Sequence, residues 1–145
     1  MPVYNFPLTS QGPTLPVLIG LGGQQTASLP SLAQAAQRSV LLCGILDTAS
    51  NVTVVPAAII AQLGLPLHSS RTTTTTAGVI NVRLFIASLS IPGPGPAVPM
   101  FTRPLLRVME GTVPLPNVDV VIGQDILSEL LFIQDGPGGR FTLAF

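Results

Sequence analysis

The chain has 145 residues, 47% of them hydrophobic and only 8% charged, with a formal net charge of zero. That length suits one domain rather than two well-cored ones, and the charge balance offers no footprint for nucleic acid or an anionic membrane. A mean hydropathy of +0.61 raises the question of a membrane span, but prolines cut every apolar run short of the roughly 18 residues a span requires.

The first residues, "MPVYNFPLTSQGP", have neither the basic nor the apolar region of a secretory signal, so the expected compartment is the cytoplasm. The 15 prolines and 14 glycines argue against long helices and leave short runs rich in Val, Ile, Leu, Thr and Phe. In chain order these are "LPVLIGLG", "SVLLCGIL", "NVTVVP", "TTTTTAGVINVRLFIASLSI", "VDVVIG", "LLFIQD" and "RFTLAF". They read as strands between turns, hence a mostly β domain. "DGPGG" predicts a closing hairpin between the last two. Helices are predicted at "PAAIIAQLGL", which opens on Pro56 and ends near Gly64, and at "DILSELL", where Asp125 stands as the cap. A third short helix is predicted over residues 31–37, "SLAQAAQ", and a loop over residues 91–99, "IPGPGPAVP".

Candidate chemistry is scarce. The single cysteine, Cys43, excludes an internal disulfide, and its apolar neighbours make it a small hydrophobe in a strand. His68, without a partner histidine or cysteine, reads as a surface loop residue, and no metal or cofactor is expected. Of the six acids, Glu110 and Glu129 read as solvated, Asp135 as a turn residue and Asp119 as a loop residue. Asp47 differs, because it ends the apolar run "VLLCGIL" and is followed by Thr48, Ala49 and Ser50. Small residues with hydroxyl and amide donors can hold a carboxylate at the end of a buried strand and keep it exposed. For the tetrapeptide alone, an ordinary turn aspartate is the competing reading.

An apolar strand ending in Asp-Thr-small-Ser resembles the active-site turn of the aspartic proteases. Further elements follow the order of their short retroviral-type branch, the retropepsins. "LPVLIGLGGQ" resembles the first hairpin with its Gly-Gly turn, and "TTTTTAGVINVRL" falls where the flap hairpin belongs, with Ala77 and Gly78 at its tip. "VDVVIGQDILSELL" resembles the apolar-apolar-Gly stretch and the helix after it, and "RFTLAF" the terminal strand. Residues 25–38 depart from the pattern as an insertion between the first two strands, and Ala49 stands where the family nearly always has glycine.

The resemblance implies a single domain over residues 1–145: a closed, retropepsin-like β-barrel with a flap hairpin and one or two short helices. It implies an aspartic endopeptidase that hydrolyses peptide or protein substrates with a water activated between two Asp47 carboxylates. One Asp-Thr-small turn per chain implies a homodimer, with "VYNF" and "RFTLAF" as interface strands. By the same resemblance, Thr48 would bind the opposite subunit's turn and Ser50 would donate to the outer oxygen of Asp47. Thr76, Ala77 and Gly78 would close over the peptide. Residues 116–121, ending at Val121, would wall a pocket for apolar side chains beside the cut. Two alternatives stay open: an inactive dimeric peptide-binding module of the same fold, with Ala49 as its mark, and a structural β domain in which Asp47 only turns the chain.

Overall fold

The computed structural model describes residues 2–23, 39–93 and 101–145. Along them run β1 (Val3–Pro7), β2 (Thr14–Gly20), β3 (Ser39–Leu46), β4 (Val54–Val55), α1 (Ala57–Leu63), β5 (Leu67–Thr75) and β6 (Gly78–Ile91). β7 (Phe101–Glu110), β8 (Val120–Ile122), α2 (Gln124–Leu127), β9 (Leu131–Asp135) and β10 (Arg140–Ala144) follow. The predicted helix over residues 31–37 and most of the loop over residues 91–99 lie outside the described residues.

Six strands, in the order β2-β3-β8-β4-β7-β6, form a ring that closes where β2 pairs again with β6 through Leu18–Ser90, Ile19–Leu89 and Gly20–Ser88. Closure leaves these strands without a free edge, which suits a chain with few charges to protect one. Alternation supplies the core: Leu15, Val17 and Ile19 of β2 and Ala87, Leu89 and Ile91 of β6 all point inward. A fully buried side chain of this size contributes about 1.5–3 kcal/mol. β5 hangs from the far side of β6 as a long hairpin. Its outer part, where Val79 and Ile80 are exposed, extends beyond the core.

A second sheet, in the order β1-β10-β9, brings the two ends of the chain together. Phe141 is its inward anchor, stacked on Phe6 at 5.1 Å and met edge-on by Phe132 at 6.0 Å. The predicted closing hairpin is present, as β9–β10. β10 is the central strand, paired to β1 on one side and β9 on the other within one chain, so "RFTLAF" has no free edge to offer a second copy. Among the described residues, the free edges of this sheet are those of β1 and β9.

Helix α1 ends as predicted, with Gly64 in the left-handed region at φ 64, and Pro56 sits one position earlier than expected, at the N-cap. The second predicted helix is cut to four residues, because Leu131 already pairs with Ala144 in the terminal sheet. β7 was not predicted from the sequence. Its proline, Pro104, is accommodated at a register shift opposite β6 between Ala87 and Leu89, a place where a strand tolerates a missing donor. No helix among the described residues is long and apolar enough to cross a membrane.

Candidate active site

The turn after β3 is fastened at almost every residue to the segment that follows β8. Leu46 and Ile122 are parallel-sheet partners, and the Asp47 N–H donates to the Ile122 carbonyl at 3.0 Å. The Ser50 N–H donates to the Asp47 carbonyl at 3.2 Å, closing the turn. From the other side, the Gln124 N–H donates to the Ser50 carbonyl at 2.8 Å, and its side-chain Nε2 donates to the Thr48 carbonyl at 2.9 Å. Gly123 packs so closely that a Cβ there would lie 2.7 Å from the Val52 carbonyl carbon and 2.9 Å from the Ser50 oxygen. Only glycine permits this approach.

Thr53 is the one buried polar residue among those described. Its N–H and its hydroxyl both donate to Asp125, each at 2.8 Å, and its Oγ1 accepts the Gly123 N–H at 3.3 Å. Asp125 therefore does not cap α2, as expected from the sequence; the N-cap is Gly123, with no side-chain cap bond. The carboxylate is drawn away because a buried N–H and O–H left unpaired would cost more than an unfilled cap on a four-residue helix.

This frame presents Asp47, which is half-buried, beside the exposed Thr48 and Ala49. The Ala49 N–H donates to Asp47 Oδ1 at 2.9 Å, which orients the carboxyl group. Among the described residues no donor reaches Oδ2, so that oxygen is open. The bond expected from Ser50 is not made; its hydroxyl donates to the Val52 carbonyl at 2.8 Å and so stiffens the turn instead. Ala49 costs no backbone strain, since Asn117 is the only described non-glycine residue with a positive φ.

The other expected residues lie on separate elements. Thr76 and Ala77 form the two-residue turn between β5 and β6, and Gly78 has φ 116, a conformation that glycine adopts freely. Thr75 steadies the tip by accepting the Ala77 N–H at 3.2 Å and donating to the Gly78 carbonyl at 3.1 Å. Val121 is held in β8 between Ile45 and Val54, half-buried, close in the sheet to the Asp47 turn.

Three acids prove more engaged than their sequence reading. Glu110 forms an ion pair with Arg83 at 2.6 Å and Glu129 one with Arg103 at 2.8 Å. Asp119 accepts the Cys43 N–H at 2.8 Å while its own N–H donates to the Cys43 carbonyl at 2.8 Å, locking β3 to the start of β8. Burial pushes the Cys43 thiol above its ordinary pKa and the Asp119 carboxylate adds to this, with a hydrogen bond to Thr14 opposing. A scarcer thiolate means slower alkylation. Cys43 should react with iodoacetamide near pH 8 more slowly in the folded protein than in urea; equal rates would contradict this assignment.

A cavity of about 630 Å3 opens beside the turn, bounded by Asn51 and Val52, by His68 and Arg71 of β5, and by Arg103 and Arg107 of β7. Sequence reasoning missed these residues. His68 lies in β5 rather than in a loop, as the extra residue of a bulge between Leu67 and Ser69. The alternation of Leu106 and Val108 inward with Arg107 outward could have identified β7 and its arginines.

The closed barrel, long hairpin and terminal sheet make up the retropepsin fold. The chain is similar to a retropepsin-like aspartic protease from Rickettsia conorii, with a TM-score of 0.61 and 13% identity over 98% of this chain and 89% of that one. It also aligns with the retroviral protease-like domain of Ddi1 from Leishmania major, with a TM-score of 0.43 and 13% identity over 85% of this chain and 82% of that one. No protein-family model and no curated protein sequence matches it.

Proposed function

We propose that the chain is an aspartic endopeptidase, active as a homodimer in which two Asp47 carboxylates share one proton. The observation that carries this reading is the Asp47 turn itself: one carboxyl oxygen is held by the Ala49 N–H, the other is open, and the loop is braced on a retropepsin barrel. In the reaction, one carboxylate takes a proton from a water lying between the pair, and the water oxygen attacks the scissile carbonyl carbon. The protonated partner hydrogen-bonds the carbonyl oxygen as it gains charge. Proton transfer to the amide nitrogen then lets the C–N bond break, giving a carboxylic acid and an amine without a covalent enzyme intermediate.

The remaining residues take roles consistent with this. Thr48 is exposed, as a residue gripping a second copy's turn must be before assembly. Thr76, Ala77 and Gly78, at the tip of an exposed hairpin, would cover the peptide and exclude water. Val121 would contribute to an apolar wall beside the cut. Ala49 is compatible with activity, because its exposed methyl group meets no backbone strain. Residues 1–145 would act as one protease domain.

Dimerisation would use the terminal sheet, whose outer face carries Val3 (58% exposed), Leu131 (52%) and Ile133 (51%). Val3 and Leu131 flank Ala144 in one cross-strand row, and Ile133 lies two residues further along, so the three share a face. A self-complementary patch of this kind suits a two-fold dimer. The protein should therefore cleave a pool of unfolded protein or peptides, and its specific activity should fall on dilution as sedimentation shows dimer giving way to monomer. Cleavage by a strictly monomeric protein would overturn the two-copy mechanism. Peptide binding without turnover would leave a non-catalytic binding module.

A further inference from the structure

The cavity beside the Asp47 turn has an uneven charge that the rest of this neutral chain does not share. Three arginines and one carboxylate line it: Arg71, Arg103, Arg107 and Asp125. Two of these four are already engaged. Arg103 Nη1 pairs with Glu129 at 2.8 Å, and both Asp125 oxygens accept hydrogen bonds from Thr53. Arg71 and Arg107 form no ion pair and no side-chain hydrogen bond with the described residues, which leaves two arginines lining the cavity without a paired carboxylate. Arginine presents a planar fork that matches a carboxylate in two parallel bonds, and a cleft of one sign concentrates ligands of the other.

The position of the cavity limits what could reach it. Asp47 does not line it, whereas Asn51, four residues further along the same turn, does. A chain extends at most about 3.3–3.6 Å per residue, so Asn51 lies within roughly 14 Å of Asp47. A peptide extended across Asp47 and running toward Asn51 would come to the cavity within about four residues of the cut, with a side chain that is not at the cut itself.

We propose that this cavity is a specificity subsite that takes the carboxylate of a substrate aspartate or glutamate, two to four residues from the scissile bond, between Arg71 and Arg107. The proposal rests on the aspartic endopeptidase reading of Asp47 and extends it. Apolar residues at the cut and an acidic residue further along would together define a preferred sequence.

The test uses pairs of fluorogenic peptides with apolar residues at the cut and a single Glu or Gln at the second, third or fourth position to either side. Measurements are made above the ordinary glutamate pKa of about 4.3, so that the side chain is charged. At one position the Glu peptide should show about five- to tenfold higher kcat/KM than its Gln partner, as expected for a charge-assisted hydrogen bond partly open to water. That ratio should fall to about one in Arg71→Gln/Arg107→Gln and shrink as salt is raised. Equal rates for Glu and Gln at every position, with cleavage abolished by Asp47→Asn, would overturn the subsite and leave the protease reading standing. If the wild-type protein cleaves none of the peptides, the same pairs are compared by fluorescence anisotropy. A Glu preference in binding that the double substitution removes would support the subsite while the hydrolytic reading fails, and no preference there would overturn the subsite as well.

Discussion

Asp47→Asn is expected to reduce peptide cleavage to background while the protein still folds and binds peptide. Asparagine keeps the size of the side chain, and its amide oxygen can still accept the Ala49 N–H that now reaches Oδ1 at 2.9 Å. What it loses is the ability to take up and return a proton at the open oxygen. General acid–base assistance contributes about a hundred- to ten-thousandfold per group, and the proposed homodimer would lose both groups in one substitution. If Asp47 only turned the chain, asparagine, itself a good turn former, would change little. In the proposed dimer the melting temperature should stay the same or rise, since two carboxylates held close together would be replaced by neutral groups. Circular dichroism and cleavage of an apolar test peptide, measured on one preparation, separate these outcomes. Retained cleavage by well-folded Asp47→Asn protein would rule out the mechanism.

Local pattern carried the fold a long way. Alternating apolar residues located β2, β3 and the inner half of β6, and the Pro56…Gly64 spacing bracketed α1 to within a residue. The Asp47 turn was legible because a lone acid after eight strand residues is conspicuous in a chain with so few charges. The failures share a cause in long-range pairing. Asp125 looks like a cap because it opens a helix, yet its partner Thr53 lies 72 residues earlier. Asp119 looks like a loop residue until its bond to Cys43, 76 residues away, is seen. β10 has no free edge, and nothing local reveals that β1 and β9 flank it. Ser50 is the exception: the resemblance directs its hydroxyl to Asp47, whereas it donates to the Val52 carbonyl only two residues away. β7 hid behind Pro104, and with it went Arg103 and Arg107 of the cavity.

Gly123→Ala should damage both stability and activity, out of proportion to one added methyl group. The new Cβ would lie 2.7 Å from the Val52 carbonyl carbon and 2.9 Å from both the Val52 nitrogen and the Ser50 oxygen. These are backbone atoms, so no flexible side chain can swing aside and the loop itself must move. The same loop is pinned by the Gln124 N–H on the Ser50 carbonyl and by Thr53 on Asp125, so its movement strains or breaks those bonds. Overpacking of this kind typically costs about 1–3 kcal/mol. A displacement of about 1 Å at a catalytic group can cost on the order of a hundredfold in rate. Gly44→Ala provides the comparison. The three atoms nearest its Cβ would be side-chain ones, the Ile122 Cδ1 at 2.9 Å and the Val17 methyl groups at 3.2 and 3.3 Å, which repack without moving the turn. Urea denaturation should therefore find both variants destabilised, while kcat falls steeply only for Gly123→Ala. An equal loss of kcat in the two would mean that Gly123 acts through general stability rather than by seating the Asp47 turn.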